Sequence, residues 1–186
     1  MHRLIPKEIA YDEPCIRCVM PSKMKKGIIR NDAFLPLEHG TGASVLRLNY
    51  TTIDFCIEYG MSLDKEKHRL GALLKFSQRE VDKINEWAQS DASKIKNEET
   101  GTESVNGTCA HLIYSPMDGK DYVDPEKDYY TDSCISAPMH ADLEFNEPLE
   151  RGFVRIRMRQ YNNQLIKLCK KAFMNEGNNE LGDWTM

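Results

Sequence analysis

No stretch of this chain approaches the roughly 18 consecutive apolar residues that a bilayer-crossing helix needs, and its opening, MHRLIPKEIAYDEPC, lacks the apolar run of a secretory leader. Both absences lead to the expectation of a cytoplasmic protein with no membrane partner. Positive charge is not in excess either. The 25 Lys and Arg against 29 Asp and Glu leave a net charge of -4, so no global field draws the molecule to nucleic acid or anionic lipid. Internal repeats, low-complexity tracts and a nucleophile-elbow motif are also missing. Six cysteines are present, but a domain of this size does not need bridges, and a reducing compartment keeps them as thiols. What is there is 186 residues, 40% hydrophobic and 29% charged, enough for one packed core and one domain.

Periodicity sets the expected elements. Residues 44–50 alternate apolar and polar side chains, as a half-buried strand does. Thr51 or Thr52 then caps a short helix with Gly60 as its stop. The run 68–76 fits a buried strand or a helix. Ser77-Gln78-Arg79-Glu80 has the spacing of a capping box, followed by Val81, Ile84 and Trp87 on one face of a helix over about 78–90. Ala110–Tyr114 and His140–Phe145 read as strands, the second with His140, Asp142 and Glu144 on its polar face. Arg151 onward reads as a strand through about 159 leading into a helix over about 163–173, with one continuous helix as the alternative. The expected fold is a single α+β domain over 1–175, mainly antiparallel, with about three helices, flexible loops near 91–108 and 116–138, and a tail over 176–186.

Three constellations could carry chemistry. Cys15-Ile16-Arg17-Cys18 has the spacing of half a zinc site if it forms a tight turn, with Cys109 and His111 as the further ligands and Cys134 and His140 as other candidates. The competing readings are two small buried residues or a redox pair. The His140, Asp142 and Glu144 face could serve as acid, base or metal ligands, with Ser44 or Cys134 as nucleophile; the competing reading is a solvated outer face. Residues 151–175 carry seven basic side chains and no acidic one. On a strand, Arg155, Arg157 and Arg159 would form a strip for phosphates, nucleic acid or an acidic surface. Opposite in charge is the segment with Asp118, Asp121, Asp124, Glu126, Asp128 and Asp132, which lacks the EF-hand order. Its Tyr122, Tyr129 and Tyr130 are side chains of the kind enriched at protein interfaces.

The order Arg3 to Pro6, Ala33-Phe34, Ser44-Val45 and Pro138-Met139-His140-Ala141 resembles a loosely defined family of uncharacterised bacterial proteins with Ser-Val and Pro-x-His-Ala motifs. The resemblance implies a bacterial origin, a role beside other gene products, and one shared feature that holds Ser44 and His140. It implies no activity, and the Cys15 and Cys18 pair is not part of it.

The function expected first is a non-catalytic interaction subunit of a bacterial multi-protein system, docking a protein partner or a second copy through the acidic tyrosine-rich loop and the arginine strip. The alternatives are a small metal- or His-dependent hydrolase or nuclease acting on a phosphate ester, with arginines holding the anion, and a zinc-stabilised binding module.

Overall fold

In a computed structural model the described residues are 3–90, 93, 107–117, 120–124, 130–131, 134–135, 137–175 and 184–185. In chain order the strands are β1 (Arg3–Leu4), β2 (Cys15–Val19), β3 (Met24–Lys25), β4 (Ile28–Ile29) and β5 (Gly42–Arg47), followed by helix α1 (Ile53–Leu63), β6 (Ala72–Phe76) and α2 (Gln78–Gln89). Then come β7 (Ala110–Tyr114), β8 (Tyr122–Val123), β9 (Tyr130–Thr131), β10 (Cys134–Ile135), β11 (His140–Phe145), α3 (Phe153–Leu168), β12 (Lys170–Asn175) and β13 (Trp184–Thr185). The chain is an α+β protein built on one antiparallel sheet in the order β13-β12-β6-β2-β5-β11-β7. No helix among the described residues is long and apolar enough to cross a membrane.

Helices cover both faces of the sheet. Val81, Ile84 and Ala88 of α2 and Met158, Tyr161 and Leu165 of α3 pack with Cys15, Val45, Leu74 and Leu143 on one face. Cys56 and Tyr59 of α1 pack with Ile16, Cys18, Leu46 and Leu73 on the other. The capping box forms as its spacing predicts: the Glu80 carboxylate accepts from the Ser77 N–H at 2.9 Å and the Ser77 hydroxyl at 2.6 Å. Burial by itself raises the Glu80 pKa, but these hydrogen bonds outweigh it and hold the carboxyl below its ordinary value of 4.5. A depressed acid stabilises the fold above its unfolded pKa and loses that contribution as pH falls through its folded one. Glu80→Gln is therefore expected to lower stability by about 1 kcal/mol at pH 7, a deficit that shrinks below about pH 4.5. Urea denaturation of both proteins across pH 3–7 measures it.

Several sequence expectations change. Thr52 caps α1 by accepting from the Phe55 N–H at 3.1 Å, but the helix runs past Gly60 to Leu63. Gly60 is a packing position, not a stop: a Cβ there would lie 2.7 Å from Leu70 Cδ1 and 3.3 Å from Cys18 Sγ. Cys15 to Cys18 form no turn; they lie in the central strand β2, paired on both sides by β5 and β6. A strand buried on both faces shows no alternation to recognise. At the C-terminal end the order of elements is reversed, with helix α3 first and strand β12 second. Val154, Met158, Tyr161 and Leu165 recur at three- and four-residue steps, a stripe that a helix buries as one face. The alternation in FVRIRMR is a local coincidence inside that longer period.

Candidate functional site

The half of the α1-side face formed by β5, β11 and β7 carries polar side chains. The strand register sets Asp142 opposite Ser44 on one side and Ile113 on the other, and Glu144 opposite Gly42 and His111. Ala141 and Leu143 pack on the α2–α3 side, so His140, Asp142 and Glu144 point to the opposite side, as strand alternation requires. Ser44 and His111 are exposed there, while Asp142 and Glu144 are half-buried. Gly42 leaves the space that Asp142 occupies, since a Cβ would lie 3.1 Å from the Asp142 carboxyl carbon.

Ser115, the residue after β7, completes a cluster that was not legible without the register. Its hydroxyl donates to Asp142 Oδ2 at 2.6 Å and lies 3.1 Å from His140 Nδ1. The same His140 nitrogen is 2.7 Å from the Ser115 carbonyl oxygen. A carbonyl only accepts, so Nδ1 carries the proton. His140 Nε2 is 4.0 Å from Asp142 Oδ1. A serine hydrolase needs the opposite polarity, with the hydroxyl proton directed to an unprotonated imidazole nitrogen and the acid behind the ring. Here the serine proton points to the carboxylate and the ring is tied to the backbone. The cluster clamps the start of the 115–139 excursion to the sheet. Arg17 reaches the same region, donating from Nε to the Ala33 carbonyl at 2.9 Å and from Nη1 to the Ser44 carbonyl at 2.7 Å. Burial lowers its pKa, while Cys18, Tyr59 and Asp142 oppose that shift. Tyr59, pushed up to about 12 chiefly by burial, lies on the same side and donates to Met117 Sδ at 3.4 Å.

The proposed zinc ligands do not converge. Cys15 packs on the α2–α3 side and Cys18 on the α1 side, because an odd spacing on a strand sends two side chains to opposite faces. Burial raises both thiols to about 12, the reverse of what a thiolate ligand needs. His111 is exposed opposite Glu144, and Cys109 donates its N–H to Asn146 Oδ1 at 3.0 Å. Among the described residues no three His, Cys, Asp or Glu side chains form a metal-binding group.

The arginine strip is also corrected. On α3, residues two apart diverge by about 200°, so Arg157 faces away from Arg155 and Arg159, which lie one turn apart on one flank. Arg157 is held by Glu147 at 2.8 and 3.0 Å, and Arg151 by Glu38 at 3.1 Å. Because α3 covers one side of the sheet and His140, Asp142 and Glu144 face the other, the arginines cannot hold an anion over those side chains. The assembly required for the phosphate-ester hydrolase is therefore not formed. Tyr122 sits half-buried in β8, paired with β1. Tyr130 and Cys134 are described by their backbone alone, in β9 and β10. Tyr129, Asp118, Glu126, Asp128, Asp132 and nearly all of the expected loop at 91–108 lie outside the described residues.

The exposed edge of the sheet is closed by side chains instead of a strand. Asn85 of α2 donates from Nδ2 to the Ala110 carbonyl at 2.9 Å and accepts the Ala110 N–H on Oδ1 at 3.0 Å. Gln78 accepts the Leu112 N–H at 2.8 Å. Two positions seven apart on α2 thus take three of the hydrogen bonds that a further strand would make to β7, which opposes strand addition over Ala110 to Leu112. Compared with family models, curated proteins and solved structures, the chain matches none of them.

Proposed function

We propose that the protein is a non-catalytic interaction subunit of a multi-protein system, docking an acidic surface of another protein through α3. The observation that carries this reading is the incomplete neutralisation of that helix. Residues 151–175 hold seven basic side chains and no acid. The neighbouring acids Glu38 and Glu147 bind Arg151 and Arg157, while Arg155, which acts on Glu38 only through space, and Arg159 form no ion pair within 4 Å among the described residues. Support also comes from the polar face of the sheet, where Ser115, His140 and Asp142 satisfy one another in a clamp instead of presenting a nucleophile to a base.

Salt sensitivity tests the proposal, since the screening length drops from ~10 Å at 0.1 M to ~3 Å at 1 M. Light scattering on purified complexes, with the chain alone as the reference, is expected to show an assembly with the partner that persists at the lower salt and dissociates at the higher. The double variant Arg155→Glu/Arg159→Glu, both at half-buried surface positions, is expected to weaken the assembly at least tenfold while leaving the thermal unfolding midpoint within a few degrees. A chain that is monomeric at both salts and retains no partner dependent on these two arginines refutes the reading.

A further inference from the structure

Beyond its charge, α3 carries buried polar atoms that no described residue satisfies. Asn162 is 0% exposed, yet neither its Nδ2 nor its Oδ1 has a hydrogen-bond partner among the described residues. Among the described residues the buried Nε atoms of Arg155, Arg157 and Arg159 and the Gln160 Oε1 also lack a partner, and of these Arg155 and Arg159 lie on the side of Asn162. At 100° per residue, positions 155, 159 and 162 lie within about 60° of one another, so these three side chains share one flank. The other flank belongs to α2, against which the Tyr161 hydroxyl donates to Asn85 Oδ1 at 2.7 Å and lies 3.3 Å from the Val81 carbonyl oxygen. A fully buried amide whose hydrogen-bonding positions are unmet costs stability, and a bound water or ion is one of the ways in which folded chains offset such a cost.

We propose that Arg155, Arg159 and Asn162 form a binding site for a hydrogen phosphate ion. Two guanidinium groups suit the phosphate oxygens. The Asn162 amide adds a selective element: Nδ2 donates to a phosphate oxygen while Oδ1 accepts from the protonated one. Sulfate has no O–H at neutral pH and would set an oxygen lone pair against Oδ1, so the site discriminates between two anions of nearly equal size, as sites built around a ligand hydroxyl do. Because Asn162 is 0% exposed, binding requires the half-buried Arg155 and Arg159 side chains to reorient and admit the ion. The inference rests on α3 being a binding face, and adds that phosphate competes there with an acidic partner.

Calorimetric titration of the full chain with phosphate, and separately with sulfate, at fixed ionic strength in chloride tests this. Saturable phosphate binding at least tenfold tighter than sulfate binding is expected. Arg155→Gln/Arg159→Gln should weaken phosphate binding at least tenfold. Asn162→Leu should remove the preference over sulfate, and without phosphate its thermal midpoint should equal or exceed that of the parent, because an unpaired amide gives way to an apolar side chain of similar size. Phosphate binding no tighter than sulfate binding, or a lower midpoint for Asn162→Leu without phosphate, overturns the site. Phosphate binding in a chain that never assembles would leave this site standing and remove the partner reading; salt-sensitive assembly without phosphate binding would do the reverse.

Discussion

Replacing Arg47 by Met is expected to destabilise the protein by about 3–5 kcal/mol, the largest effect of any single polar substitution considered for this chain. Arg47 is 0% exposed and Glu13 4%. Their pairing is bidentate, with Nε donating to Oε1 at 2.6 Å and Nη2 to Oε2 at 2.9 Å. Two more guanidinium protons go to the backbone carbonyls of Pro6 and Glu8, and the group lies over the rings of Tyr50 at 4.9 Å and Tyr114 at 5.1 Å. One side chain thus fastens residues 6–13 to the sheet. Burial disfavours its charge, but the bonds to Glu13 more than compensate and raise its pKa. Removing the cation leaves a buried carboxylate without a counter-charge, and most of the loss comes from that. The double variant Arg47→Met/Glu13→Leu should accordingly recover more than half of the deficit in urea denaturation. If the single variant loses under 1 kcal/mol, the pair does not anchor the N-terminal segment in solution.

Asn85→Leu is expected to cost about 2–4 kcal/mol and to change the state of association. Its amide pairs with both backbone groups of Ala110, which is fully buried, and its Oδ1 also accepts from the Tyr161 hydroxyl. Leucine leaves these groups unsatisfied, at ~1–3 kcal/mol for each that water cannot reach. It also uncovers the outer edge of β7, and an unpaired edge is a template for a second chain. Light scattering should therefore show concentration-dependent self-association in the variant that the parent lacks at the same protein concentration and salt. A variant that is destabilised but stays as the parent would show that Gln78 alone suffices to block pairing.

Short-range signals in the chain were dependable where one face of an element meets water. The alternation in 140–145 and 110–114 and the Ser77 to Glu80 spacing correspond to β11, β7 and the start of α2. They failed where burial is two-sided or two periods overlap. Cys15–Val19 reads as a metal turn because its buried-on-both-sides pattern has no period, and 153–159 reads as a strand because seven residues are too few to separate a period of two from one of 3.6. Of the candidate site residues, His140, Asp142 and Glu144 do share a face as their spacing requires, and Ser44 lies beside them through the register. Ser115 carries no signal of its own. It belongs to the cluster only because β7 pairs with β11 so that Tyr114 meets Ala141.

From its order of residues alone the chain dictates an antiparallel α+β protein, the polar face of its late strand and the concentration of positive charge after Arg151, because these depend on neighbours a few positions away. Partnership across the sheet was decided by the tertiary structure: which arginine finds a carboxylate, that Cys15 and Cys18 point apart, that Asn85 stands in for a strand and that Asn162 is buried without a partner among the described residues. Each of those depends on a contact between residues distant in the chain, whose energy is set by burial and register, quantities that no local window of sequence contains.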